Sequence, residues 1–596
     1  MSFAVSCQNT TFEDTQSLIN QDYYPPVCSL ASPFPETGSV IISEISSYGG
    51  WIEIYNGTSA RIDLSSYRLK YGHNYQVGTG TYGADRIYSL PAVKIPSKQF
   101  LIVRPDSSSP AVAKDLDYDI IWLQDSSQYY PTVSSTGYIE LLKNGNTVDF
   151  VRSGGSLTNP TTPGEWDATA APGVTTDITQ SLQRVALNSD NNTATDWQLM
   201  AGISPFLPST LSCRQDLDFD GLPDCVETAN MTYRNLPYHE WGARFGQLDV
   251  FVEVDYMKKN SKCNKCDGLS PYIDKLIQMQ NTYRKNGIYV HFDVGEYVFY
   301  DDNPENNDAP VNLCGGEEVP FSNYITFGGT GSVADIWDYK ANYADRRRKV
   351  NWHYMLIAHS IPGAAGIAQV GGSTSIIGVA TYIDLYDMSR AEQYQAHVIF
   401  HEFGHNLGLN HGGDVTTNYK PNYLSAMNYL YNHKIEIGDT DGAGYYSSFC
   451  GKYSTTKYSA APYLLDYSHG TGAPIDENAV NELAGIGYGG VGVDFNCNGS
   501  INPGTFSYDV NHDGSISILT DHNDWALLYS YAAANMQPSY KLNGVAPGPA
   551  LNQPLSVKYV GARQNPDGSI DLIPRGAGHF IHADEDLLDR SFPIVK

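Results

Sequence analysis

The stretch from His401 to His411 reads HEFGHNLGLNH and gathers three of the chain's 15 histidines. His401 and His405 stand four residues apart, so on a helix they project from one face, one turn apart. At that spacing two imidazoles meet one metal ion at about 2.0–2.1 Å each. Glu402 follows the first histidine, placed to take a proton from a water beside such an ion without being a ligand itself. Gly408 can adopt a left-handed conformation that ends the helix, so the chain turns back and delivers His411 as a third nitrogen. Three neutral nitrogens leave a fourth position open, the mark of a catalytic rather than a structural zinc site. The chemistry expected is metal-assisted hydrolysis with Glu402 as general base.

Acidic side chains recur at cation-binding intervals elsewhere. The run DLDFDGLPDCVE sets Asp216, Asp218, Asp220, Asp224 and Glu227 at loop positions one, three, five, nine and twelve, with Gly221 at six and Leu222 at seven. A twelve-residue calcium loop needs that register. Alternate side chains converge on the ion, glycine makes the sharp turn, position seven offers its carbonyl and the last glutamate binds with both oxygens. Two later runs, VDFNCNGS and DVNHDGSIS, repeat the first half of the pattern. One offers Asp494, Asn496 and Asn498, whose two amides make a weak site; the other offers Asp509, Asn511, Asp513 and Ser515. Thr505 and Thr520 stand where position twelve would carry an acid, so Asp521 or Asp524 is expected to complete the second loop.

HExxHxxGxxH, followed downstream by LSAMNY at 424–429, resembles the metzincin zinc metallopeptidases. The resemblance implies an α/β peptidase domain, zinc as cofactor and a protein or peptide as substrate, with Met427 as the methionine of the turn that underlies the zinc. Tyr429 then matches the position at which some metzincins place a switchable tyrosine that donates to the developing oxyanion. The strand near Ser375 to Tyr382 matches the place of a sheet-edge strand that pairs antiparallel with substrate. HGGDVTTNYKPNYLSAMNY and LLDYSHGTGAPIDENAVNE look like a group of bacterial secreted metallopeptidases that often carry calcium repeats. The residue after His411 is Gly412, not the acidic residue of several metzincin families, and no cysteine-switch propeptide is recognisable upstream. The loop at 216–227, with its proline and flanking cysteines, resembles thrombospondin type 3 calcium repeats, and the C-terminal pair resembles dockerin half-loops. His397 lies one turn before His401 and could be a fourth ligand, but three ligands complete the motif and it reads as a packing residue; His291, His353, His359 and His433 lack metal spacing and read as structural.

These groups need elements to hold them. From 38 to about 200, short strand-like runs such as VIISEI, WIEIYN, FLIVRP and YIELLK alternate with turn residues, the pattern of an antiparallel sandwich. VIISEISSYGGWIEIYNGTSARIDLSSYRL, GYIELLKNGNTVDFV and SLQRVALNSDNNTATDW resemble a lamin-tail domain, an immunoglobulin-like module, which implies a binding or spacer role. Glu44 and Glu53 read as solvated strand-edge carboxylates. Beyond 239, LDVFVEVDYM, IYVHFDVG, NWHYMLIAHS and TSIIGVATYI read as strands, SPYIDKLIQMQNTYRKNG as an amphipathic helix, and the stretch from Arg390 to Gly408 as the helix of the histidines. The fold class expected is multidomain: an N-terminal all-β immunoglobulin-like sandwich, an α/β catalytic domain and a loop-rich calcium-binding C-terminal region. The boundaries expected are an extension over 1–37, the sandwich over 38–208, the calcium linker over 209–238, the peptidase over 239–490 and the C-terminal region over 491–596.

A net charge of −28, from 65 acidic and 37 basic side chains, argues against a nucleic-acid partner, which needs clustered Lys and Arg. No run of 18 apolar residues suggests a transmembrane segment. Tyr-, Gly-, Ser- and Asn-rich composition with few lysines points to a secreted, extracellular protein, where Cys7–Cys28 and Cys213–Cys225 are plausible disulfides. Cys263 and Cys266 sit in a polar loop and read as a structural bridge, and nine cysteines leave one for a free thiol or another chain. Two functions stay open: a secreted zinc endopeptidase stabilised by calcium, or a calcium-dependent binding or adhesion protein with a peptidase-like domain. For either, the N-terminal β domain would take a cell-surface or matrix ligand.

Overall fold

The computed structural model describes residues 32–535 except for several segments, the longest being 106–119, 124–135, 260–268, 296–311, 432–448 and 451–464, together with 559–564, 570–574 and 581–583. Outside the described residues lie Cys7, Cys28, Cys213, Cys263, Cys266, His433 and most of the expected N-terminal extension.

Alternating apolar residues build two facing sheets in the N-terminal part. One has six strands in the order Ile120–Leu123, Phe100–Pro105, Trp51–Asn56, Val40–Ser46, Gln180–Arg184 and Trp197–Ala201. The other has four: Asn146–Ser153, Gly137–Lys143, Tyr67–His73 and Arg86–Ser89. Because side chains alternate across a strand, Ile42, Ile52, Ile54, Leu69, Ile139 and Val151 meet in the core between the sheets. The Arg184 guanidinium bonds the Asp149 carboxylate across that core at 2.7 Å, an ion pair sealed from solvent.

Glu44 and Glu53 overturn their reading as solvated edge groups. They sit directly opposite each other on adjacent strands, only 1% and 0% exposed. Ser204 and Phe206 cover them: Glu44 accepts from Ser204 N, Ser204 Oγ and Ser181 Oγ, and Glu53 from Phe206 N and Ser43 Oγ. Burial raises the pKa of both, and the neighbouring Glu44 charge raises that of Glu53 further.

The second body is a mixed sheet in the order Ile288–Asp293, Leu248–Met257, Trp352–Ala358, Thr374–Gly378, Gly366–Gln369 and Ile581–Ala583, with Glu318–Val319 pairing at the end of Leu248–Met257. The first four strands run parallel; Gly366–Gln369 is antiparallel to Thr374–Gly378. The strand over Thr374–Gly378 is therefore internal, not the edge strand expected near Ser375. Gly366–Gln369 lies next to it and pairs antiparallel on its outer side with Ile581–Ala583, which ends the sheet.

All ten residues of Leu248–Met257 are buried, because both faces of this strand are covered. Val250, Val252 and Val254 face the helices Ile273–Lys285 and Met388–Asn406, while Phe251 points to the opposite side. There it joins Trp352, Trp241 and Tyr238 and the sandwich residues Trp51, Tyr55 and Phe100 in one cluster shared by the two bodies. Leu222, Cys225 and Val226 of the 216–227 loop are buried in the same cluster. The residues expected as a separate C-terminal region are also integrated: Trp525, Leu527 and Leu528 belong to the α/β core. Among the described residues, no helix is long and apolar enough to cross a membrane.

Candidate metal centre

The helix Met388–Asn406 packs on Gly366–Gln369 and Thr374–Gly378 and carries His401, Glu402 and His405, all buried. It ends where the sequence demanded. Gly408 N donates to His405 O at 2.9 Å, Leu409 N donates to Gly404 O at 2.9 Å, and Gly408 takes a φ of 101°. The reversed chain brings His411 back, and its Nε2 lies 3.2 Å from His405 Nε2. Two nitrogens bound at about 2.0–2.1 Å to one tetrahedral ion would be about 3.3 Å apart. Ligand atoms of His401, His405 and His411 all lie within 4.8 Å of one another.

The other ring nitrogens fix the tautomers. His401 Nδ1 lies 2.8 Å from Ala426 O, and His405 Nδ1 lies 2.7 Å from Leu409 O. As donors to these carbonyls, the Nδ1 positions hold the protons and turn both Nε2 lone pairs toward a common point, the arrangement a metal-ligating imidazole requires. The donor set suits zinc, which favours imidazole nitrogen and four-coordination.

Met427 is fully buried, and a Cβ on Gly404 would come within 2.6 Å of its Sδ and 2.9 Å of Tyr467 Oη. Glycine at 404 is thus what lets the helix lie on this turn. Tyr467 stacks on Phe400 at 4.2 Å and bonds Tyr283 Oη at 2.7 Å, fixing the helix from the side. Tyr429 stands with its ring 4.3 Å from that of His411. Glu402 lies against the strand Gly366–Gln369, so close that a Cβ on Gly366 would meet its Oε1 at 2.2 Å. Buried Lys420 donates to Gly412 O and Thr520 O, both at 2.8 Å, and burial lowers its pKa. Sequence patterns gave no signal for Gly366, Lys420 or Tyr467, because each contributes through contacts far along the chain.

Asp521 and Asp524 are placed otherwise than expected. Asp524 Oδ2 accepts from Ser425 Oγ at 2.6 Å, Tyr423 Oη at 2.8 Å and Ser468 N at 3.1 Å; Asp521 accepts from Ser468 Oγ and Gly472 N. Asp524 braces the methionine turn and Asp521 holds the chain at Ser468 and Gly472, and neither completes the loop at 509. The acid at that loop is Glu477, which accepts from Val510 N and Ser517 N. Glu482 accepts from Asn496 N and Asn502 N at the 494 loop. Both glutamates precede their loops in the chain, so a search of the following residues for a position-twelve acid misses them.

The three loops share one backbone device: Asp216, Asp494 and Asp509 each accept from the glycine five residues on, at 3.1, 2.8 and 2.9 Å. They differ in charge. Among the described residues, only the first loop gathers three acidic ligand atoms, Asp216 with Asp218 and Asp220, and a second triplet joins Asp220 and Glu227 to Asp249 of the following strand. Asp494, Asn496 and Asn498, and likewise Asp509, Asn511, Asp513 and Ser515, form compact turns held by their own amides. Asp224 bonds Leu217 N at 2.9 Å. His291 bonds Asp249 Oδ1 at 2.6 Å, and His353 and His359 pack against Phe403 and Phe321.

Cys450 and Cys497 form a disulfide that the spacing had not singled out. Cys225 and Cys314 are disulfide-bonded too. No curated protein matches the chain. The family model described as Lamin Tail Domain matches residues 33–197, and the two-sheet sandwich over those residues is accordingly an immunoglobulin-like lamin-tail module.

Proposed function

We propose that this chain is an exported zinc-dependent endopeptidase of metzincin type, with a lamin-tail module at its N-terminal side. The observation that carries the proposal is the convergence of His401, His405 and His411 within 4.8 Å, with the tautomers of the two helical imidazoles set by Ala426 O and Leu409 O. Zinc held there would supply a Lewis acid that polarises the scissile carbonyl and acidifies the attacking water.

The protein's own groups do the rest. Glu402, next to the ligands and against Gly366, takes the proton of the water and delivers it to the leaving amine. Tyr429, beside His411, is the candidate donor to the oxyanion. A substrate in extended form adds along the outer side of Gly366–Gln369, taking the place that Ile581–Ala583 holds there. The described disulfide and two further bonded cysteines support an oxidising, extracellular location. Calcium at 216–227 is structural in this reading, since the loop is buried between the two bodies.

Hydrolysis of casein or a peptide library by the zinc-loaded protein tests the proposal. Activity is expected to vanish with phenanthroline and to fall about 100- to 10,000-fold in Glu402→Ala, the usual weight of a general base. Equal cleavage by wild type and variant would refute a hydrolytic role. Calcium-dependent attachment to cells or matrix by a protein that cleaves nothing would favour the adhesion reading instead.

A further inference from the structure

A twelve-residue calcium loop draws its side-chain ligands from within itself, yet the acids here are not arranged that way. Asp224, at position nine, has its Oδ1 on Leu217 N at 2.9 Å and belongs to neither acidic triplet. Asp249 takes part instead. It is the second residue of Leu248–Met257, fully buried, and one of its oxygens lies within 4.8 Å of oxygens of Asp220 and Glu227. Oxygens that share one calcium ion at 2.3–2.6 Å can be at most about 5 Å apart, so this separation suits common ligands.

A second observation points to a cation. Glu227 is 2% exposed, yet neither of its carboxylate oxygens has a hydrogen-bond partner. A buried carboxylate without donors is costly, and one turned toward two other buried carboxylates is more so. A divalent cation would relieve both costs.

We propose that Asp249 is a ligand of the calcium bound at 216–227, taking the place that Asp224 leaves. The set is then Asp216, Asp218, Asp220, the Leu222 carbonyl, both oxygens of Glu227 and one oxygen of Asp249, seven oxygens in all, within the six to eight calcium takes. Asp249 keeps its other contacts: Arg244 N donates to Oδ2 at 2.9 Å, and His291 bonds Oδ1 at 2.6 Å, an outer partner that orients the carboxylate. Asp249 N also donates to Asp220 Oδ2 at 3.0 Å, so strand and loop already meet through the backbone. The ion thereby ties the loop to the first strand of the α/β sheet. The loop's own Leu222 and Val226 lie among sandwich and sheet residues, so the cation locks the two bodies together.

The inference rests on the calcium-loop reading and is independent of the peptidase activity. Calcium titration of the chelator-stripped full chain by calorimetry tests it, with thermal unfolding as second readout. Asp249→Asn is expected to weaken this site at least about tenfold and to shrink the calcium-induced rise in Tm, while leaving the calcium-free Tm unchanged or higher because one buried repulsion is gone. Asp224→Asn is expected to change the affinity by less than about threefold. Wild-type affinity in Asp249→Asn, or a calcium-free Tm that drops with the calcium-induced rise intact, overturns the ligand role and leaves Asp249 a structural acceptor. Asp216→Asn separates the two failures: if it too binds calcium like wild type, the loop reading itself falls.

Discussion

At the scale of single residues, the centre depends on close approaches that a motif does not spell out. Gly366 leaves room for the Glu402 carboxylate, since a Cβ there would stand 2.2 Å from Oε1. Gly366→Ala is expected to push Glu402 aside and cut kcat at least about tenfold with zinc content unchanged by elemental analysis, because misplacing a general base by about 1 Å is that costly. Unchanged kcat would mean that Glu402 does not need this space. Asp524 acts from the other side. Its carboxylate gathers Ser425, Tyr423 and Ser468, and Ser425 Oγ in turn accepts from Met427 N at 3.2 Å. Asp524→Ala strands those buried donors and is expected to lower stability by about 1–3 kcal/mol, read in denaturant unfolding, and to loosen zinc binding through His401, whose Nδ1 partner is Ala426 of the same turn. Retained stability and zinc affinity together would show that the turn stands without it.

At the scale of elements, the strand Gly366–Gln369 is the neighbour of Glu402 and, for the proposed peptidase, the place where an extended substrate would pair. Ile581–Ala583 already lies along its outer side, with Ile367 opposite Ala583 and Gln369 opposite Ile581. A substrate strand pairing there, as proposed, would have to displace this segment. Ending the chain after residue 575 is therefore expected to lower KM for long peptides severalfold, with kcat little changed. An unchanged KM would place substrate elsewhere. The helix Met388–Asn406 was legible from its histidine spacing and its terminal glycine, because those are local facts of helix geometry. The order of the sheet was not, since which strand ends at the edge depends on pairings between residues far apart in sequence.

At the scale of the whole molecule, the lamin-tail module and the α/β body share a core, and Ser204 and Phe206 donate backbone N–H groups to the buried pair Glu44 and Glu53. Burial holds both carboxyl groups protonated above the ordinary glutamate pKa of 4.5, so the folded chain keeps protons that the unfolded chain releases. Their contribution to stability is complete below about pH 4.5 and declines as pH rises through the elevated folded-state values. Glu53→Gln, which cannot ionise and can still accept from Phe206 N, is expected to raise Tm at about pH 8 relative to wild type and to give no gain near pH 4. An identical pH profile for the two proteins would show that the pair does not govern this dependence.

The sequence by itself determined the zinc-type histidine spacing, the glycine that turns His411 back, the calcium register at 216–227 and the strand-rich N-terminal module. Each of these is written in short-range periodicity, where residue type and spacing act within one or two turns of chain. Tertiary structure alone decided that Glu44 and Glu53 are buried, that Asp524 braces the methionine turn while Asp521 holds Ser468 and Gly472, that Glu477 and Glu482 close the C-terminal loops, and that Asp249 meets Glu227. Those outcomes depend on which distant segments exclude water from a carboxylate and which donors they bring to it, and a linear pattern carries no record of either.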